Sequence, residues 1–222
     1  SVLPFIRQTA GPRTIIIPIL NIYGTGARVQ KELPDCTVLD GCIYVSASLE
    51  HPGVLVQHGP ILRVVFGPRD PSYISPILSA IQSDLCESGI EGVLSTHIQR
   101  DALEKFSYVS PIGAAGVYLH AVAGDFQKEG PARELFKSMI REISALAAAM
   151  GYPFEKDYVK INLEILSNLS ADATTSMQRD IMEGKPSELD GLVMEPLRLA
   201  KKYSVSMPCY EEVANVLCPL EF

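Results

Sequence analysis

Residues 14–20 read Thr-Ile-Ile-Ile-Pro-Ile-Leu, a continuous β-branched run of the kind a parallel sheet buries on both faces. Pro18 puts it at a sheet edge or a strand end. A short helical stretch at 28–33 follows, then strand-like runs at 37–49, 54–58 and 61–66. Pro52-Gly53, Gly59-Pro60 and Gly67-Pro68 punctuate them as turns. Asp70-Pro71-Ser72 opens a helix with Ile74, Ile77, Leu78 and Ile81 at helical spacing. It closes near Ser88-Gly89, and 90–96 is again strand-like.

From His97 onward the period is helical. Residues 98–123 form an apolar-rich segment holding Pro111 and Gly113, expected as a buried helix broken near the proline. Residues 132–150 put Leu135, Phe136, Met139, Ile140, Ile143, Leu146 and Ala147 on one face and stop at Gly151. Stretches 158–169, 173–183, 187–203 and 209–217 complete an all-helical half. The shift at Thr96-His97 predicts two domains, 1–96 and 97–222, the first being the latter part of a wound α/β sheet domain. At the start, 2–10 reads as a helix tail closed by Gly11-Pro12, and residue 1 is serine, so the chain is expected to be a piece of something longer.

Composition narrows the classes. With 47% hydrophobic and 20% charged residues, the chain is an ordinary globular one. No apolar run approaches the ~20 residues that span a bilayer, so no membrane partner and a cytoplasmic location are expected. A net charge of −7, with no basic cluster denser than Lys201-Lys202, argues against nucleic acid but leaves room for a small anion. The five cysteines form no CxxC pair and the four histidines lie far apart, so no metal site is expected.

The densest polar signal is Thr174-Thr175-Ser176-Met177-Gln178-Arg179-Asp180-Ile181, followed by Glu183-Gly184-Lys185-Pro186-Ser187-Glu188-Leu189-Asp190. Local chemistry explains much of it: a helix stopped at Gly184, a proline turn, and a new helix starting at Ser187 with acidic residues in its first turn. It leaves Ser176 and Gln178, polar in a packable helix, without a role other than a solvent face.

Ser-Met-Gln-x-Asp-Ile, then Glu-Gly-Lys-Pro-Ser-Glu-Leu-Asp, resembles the helix–turn–helix signature of the ketopantoate reductases (2-dehydropantoate 2-reductases). Leu20-Asn21 with Gly24-Thr25-Gly26 resembles that family's strand-end asparagine stretch. Leu103-Glu104-Lys105-Phe106 resembles its Trp-x-Lys, and Ser206-Met207-Pro208 its last helix entry. By default a helical lysine is a solvated surface residue and an asparagine beside glycines a turn residue. Against that default stands the position of Lys105, just past the expected domain boundary and leading into an apolar helix.

The resemblance implies a partial Rossmann-type sheet domain followed by a helical domain similar to that of 6-phosphogluconate dehydrogenases. It implies NADPH-dependent reduction of a small anionic 2-keto acid, 2-dehydropantoate, to (R)-pantoate. Lys105 would be the proton donor, with Asn21, Ser176 and Ser110 positioning the substrate. Asn21 and Glu188 would touch the cofactor, and Glu188 would also tune the lysine. Four departures put the exact keto acid in question: Val109 where many members carry asparagine, Ser110-Pro111 where they carry Asn-Pro further on, Ala123-Gly124-Asp125-Phe126 in place of Asn-Gly-Glu-Leu, and Leu103 in place of the tryptophan.

The Gly-x-Gly-x-x-Gly phosphate loop is not found before Asn21, and Gly24-Thr25-Gly26 does not replace it. Without that loop, the 222 residues are expected to be inactive alone. Two other readings stay open: a non-catalytic helical binding or dimerisation module, and an NADP-linked dehydrogenase of another 2-keto or 3-hydroxy acid. An unpaired sheet edge would give two copies a route to a homodimer.

Overall fold

The computed structural model describes residues 2–218, so the outermost ends of both expected domains, at 1 and 219–222, lie outside it. The chain divides into two compact units, residues 1–102 and 103–222.

In the first unit, α1 (Leu3–Thr9) leads to β1 (Ile15–Ile16), which pairs in parallel with β2 (Thr37–Val38) across α2 (Thr25–Glu32). Pro18 explains why the apolar run forms only two ladder residues: it has no N–H to give, and the chain leaves the sheet there. β3 (Asp40–His51) and β4 (Val54–Gly67) form a long antiparallel hairpin, and β4 pairs in parallel with β5 (Glu91–Leu94) across α3 (Pro76–Glu87). Expected as a turn, Gly59-Pro60 is an irregularity inside one strand. Val45 pairs with Leu62 and Ala47 with Gln57, so the residues between are looped out, with Gly59 at φ +85°. The helix expected from Asp70 begins only at Pro76. Asp70 instead caps a short 3₁₀ turn at Pro71–Tyr73, its carboxylate accepting from Ser72 N at 2.9 Å. Leu39, Val64, Phe66 and Leu78 form the core on one side of the sheet; Cys42, Val65 and Ile98 form it on the other.

The second unit is helical: most of α4 (Ile98–Leu119), then α5 (Ala123–Gln127), α6 (Pro131–Ala149), α7 (Tyr158–Ser167) and α8 (Ser176–Met182). A π turn at Asp190–Met194, α9 (Glu195–Tyr203) and α10 (Pro208–Leu217) complete it. α6 is the hub, with Phe136, Met139, Ile140, Ile143, Leu146 and Ala147 all fully buried. α5 was not expected from the sequence. Its first N–H groups are satisfied by loop carbonyls, Ala123 N to Ala173 O and Gly124 N to Ala171 O.

Two helices carry interior prolines, and their treatment corrects the sequence reading. Expected to break at Pro111, α4 runs unbroken through it. A proline deprives the carbonyl four residues earlier of its N–H partner. For Pro111 that carbonyl is Ser107 O, and the buried Asn162 on α7 donates to it instead, at 3.0 Å. Expected as one plain helix, 187–203 opens with the π turn, where Glu195 N reaches Asp190 O five residues back. Pro196 supplies the cause: it cannot donate to Leu192 O, and its ring crowds that carbonyl, which a wider turn relieves.

Candidate functional site

Lys105 lies in the second turn of α4, at the start of the second unit, and is half-buried, as is Glu188, whose backbone carbonyl accepts from Leu192 N at 2.9 Å. Each of Asn21, Lys105 and Glu188 is already engaged by another group. Ser176 is the first residue of α8 and exposed. Lys105, Ser110, Ser176 and Glu188 thus belong to one compact unit, while Asn21 belongs to the other.

Ser176 owes its place to a residue that the sequence left unexplained. Thr175 caps α8, its hydroxyl accepting from Gln178 N at 3.2 Å, while Gln178 Oε1 accepts from Thr175 N at 2.9 Å, a reciprocal capping box. The other end of that amide donates to Ala121 O at 2.8 Å, at the end of α4. Gln178 fits there because Gly116 leaves the room. A Cβ at Gly116 would lie 2.7 Å from the Gln178 side chain. Gln178 is therefore buried architecture, legible as Thr-x-x-Gln at a helix start.

Ser110 is placed differently from expectation. Its hydroxyl is fully buried, donates to Leu192 O at 2.6 Å and lies 2.5 Å from the Tyr210 hydroxyl. A serine hydroxyl has one proton, and Leu192 takes it, so Tyr210 is the donor in the second bond. Burial drives the Tyr210 phenol well above its ordinary titration range and keeps it protonated. A hydroxyl so committed is not positioned to hold a substrate.

In the first unit, Asn21 opens the turn between β1 and α2. Buried Asp40 accepts from Arg69 Nη1 at 3.3 Å and from the Gln99 amide, and Gln99 Oε1 accepts from the Tyr23 hydroxyl at 2.7 Å. This chain of bonds pins the turn that follows Asn21. It also bears on whether a dinucleotide pyrophosphate fits at Gly24-Thr25-Gly26. A Cβ at Gly26 would meet Asp40 Oδ1 at 1.8 Å and Leu39 O at 2.3 Å. The glycine exists for close packing, and the first turn of α2 is faced by a carboxylate and a carbonyl. Both repel a phosphate, so these residues do not form a pyrophosphate site.

A pocket of about 410 Å³ between α6 and α7, lined by Arg141, Ser144, Phe154, Lys156 and Tyr158 among others, contains none of the expected site residues. Among the described residues no group of His, Cys, Asp or Glu could hold a metal, and no helix is long and apolar enough to cross a membrane.

A Rossmann-like sheet unit whose chain continues through one long helix into an all-helical unit defines a protein of the α/β plus all-α class. The ketopantoate reductase PanE/ApbA family matches residues 1–71, and its C-terminal model matches residues 97–221. The chain belongs to the ketopantoate reductase family. It is 24% identical over 213 residues to the uncharacterized oxidoreductase YkpB of Bacillus subtilis, covering 96% of this chain and 69% of that one. In fold it is similar to 2-dehydropantoate 2-reductase from Methylococcus capsulatus, with a TM-score of 0.86 at 23% identity over 99% of this chain and 69% of that one. It is also similar to D-mandelate dehydrogenase in a ternary structure with NADH and anilino(oxo)acetate, with a TM-score of 0.83 at 19% identity over 96% and 70% of the two chains.

Proposed function

We propose that the whole protein reduces the C2 ketone of a small anionic 2-keto acid, 2-dehydropantoate, to the hydroxyl of (R)-pantoate with NADPH as the reductant. The helical unit then carries the substrate chemistry, and the unit holding Asn21 is the latter part of the NADP-binding domain. The pyrophosphate is then held elsewhere than at Gly24-Thr25-Gly26.

In this reading Lys105 gives its proton to the carbonyl oxygen as negative charge develops there. Glu188 orients the ammonium and touches the cofactor. Ser176, exposed at the N-terminus of α8, and Asn21 position the substrate and the nicotinamide end. The observation that carries the reading is that the family's C-terminal model spans Lys105, Ser176 and Glu188 within one compact unit, with Lys105 and Glu188 both half-buried residues.

Lys105→Ala in the full-length protein tests it. Turnover of 2-dehydropantoate with NADPH is expected to fall about a hundredfold or more, the usual loss when one donor to a developing oxyanion is removed, while the melting temperature holds. Near-wild-type turnover ends the assignment.

A second reading keeps the reaction and changes the acid. Val109, one turn beyond Lys105, cannot donate the hydrogen bond that an asparagine there would give to a hydroxyl or carboxylate. The likeness in fold to a D-mandelate dehydrogenase makes aromatic 2-keto acids the first alternatives to assay. A higher kcat/KM for such an acid than for 2-dehydropantoate decides for it.

A further inference from the structure

Leu192 is hydrogen-bonded on both sides. Its N–H donates to Glu188 O at 2.9 Å, and its C=O, deprived of a helical donor by Pro196, accepts from Ser110 Oγ at 2.6 Å. Ser110 is in turn held by Tyr210 on α10, and Tyr210 N is fixed by the Glu142 carboxylate of α6 at 3.1 Å. A chain of contacts, buried at its centre, therefore runs from the hub helix through α10 and α4 to the backbone of Glu188.

Ser110 lies five residues beyond Lys105, which is about 7.5 Å along the axis and about 140° around it. Gripping α4 from its inward face fixes the helix in rotation and translation, and thereby fixes the direction of Lys105. One buried hydroxyl thus joins the helix that carries the lysine to the turn that begins with the glutamate. A fully buried polar pair with complete hydrogen bonding specifies one arrangement, because any slip leaves a buried group bare.

We infer that Ser110 and Tyr210 are positioning residues for the proposed reductase chemistry, and that the Pro196-released carbonyl of Leu192 is the point through which they set Glu188 relative to Lys105. The inference rests on the Lys105–Glu188 reading and adds to it a device outside the reacting groups. It also assigns a purpose to the π turn: an unbroken α-helix through 188–203 would rotate Glu188 by roughly the 100° that one residue occupies.

Pro196→Ala separates positioning from stability, because it gives Leu192 O a backbone donor and lets the turn close to an ordinary α-helix. In the full-length protein, its melting temperature is expected to stay level or rise. The kcat for 2-dehydropantoate with saturating NADPH is expected to fall on the order of tenfold, the scale of a small misplacement of a reacting group, with KM little changed. In a Glu188→Gln background the same substitution is expected to have less than about a twofold effect, since the group being positioned is already altered. Tyr210→Phe, which keeps the ring and removes only the hydroxyl, should lower kcat in the same direction and serves if Pro196→Ala does not fold.

Wild-type kcat in both variants, or the same loss with and without the Glu188→Gln change, overturns the inference while Lys105→Ala remains inactive. Full activity in Lys105→Ala overturns the underlying reading and this inference with it.

Discussion

Two helices of the second unit suffer the same covalent injury and answer it differently. Pro111 in α4 and Pro196 near the start of α9 each leave a buried carbonyl without its backbone donor, and each carbonyl is re-bonded by a side chain from a neighbouring helix, Asn162 for Ser107 O and Ser110 for Leu192 O. Yet α4 stays regular while the turn before α9 widens. Pro111 sits deep inside 22 helical residues that hold the geometry from both sides, whereas Pro196 is the second residue of α9, directly after the π turn. Whether a proline bends, widens or leaves a helix is decided by its distance from the helix end and by the donor its neighbours offer.

Breaking the first repair should have the largest effect on stability. Asn162→Leu keeps the bulk but strands Ser107 O and takes a partner from Ser107 Oγ, both inside the core. Unfolding is expected to become easier by about 3 kcal/mol, read from the urea midpoint. Adding Pro111→Ala to that variant restores the missing N–H and should recover about 1 kcal/mol, roughly the net worth of one hydrogen bond. In the wild type the same proline substitution finds its carbonyl already satisfied and should change little. Equal effects in the two backgrounds would show that Asn162 does not substitute for the lost backbone donor.

The smallest effect concerns a hydroxyl that no neighbour repairs. Tyr108, one turn beyond Lys105 on α4, packs edge-on against Phe136, and its buried hydroxyl has no hydrogen-bond partner among the described residues. Burial pushes its phenol up to about 12 from an ordinary 10.0. The unfolded chain therefore releases this proton first, so stability is level below about pH 10 and declines as the pH rises from there through about 12. Tyr108→Phe should be neutral or up to about 1 kcal/mol stabilising at neutral pH. It should also flatten that alkaline decline, seen as urea midpoints at several pH values above neutrality. A variant less stable than wild type would mean that the hydroxyl has a partner after all.

Much of the architecture was legible because it rests on local rules. The hub α6 followed from its apolar stripe and Gly151, and the start of α7 at Tyr158 agrees with Asp157 as an N-cap, whereas the compact units divide at 102/103 and not at the expected 96/97. The family resemblance was legible in the Ser176–Glu188 stretch for a related reason: it is a continuous segment whose turn and cap residues have fixed spacing. Gln178 could have been read as the far half of a capping box with Thr175. Its second bond, to Ala121 O, could not, because that partner is 57 residues away.

By itself the sequence determined which faces the longer helices bury, where α6 and α7 begin, and that Lys105, Ser176 and Glu188 would fall in the helical half, since propensity, caps and periodicity act over a few residues. Only the tertiary structure decided that α4 would survive Pro111, that Pro196 would open a π turn, and that Ser110 would be a buried strut. At both prolines a donor from a distant part of the chain reaches a carbonyl that local chemistry had left bare.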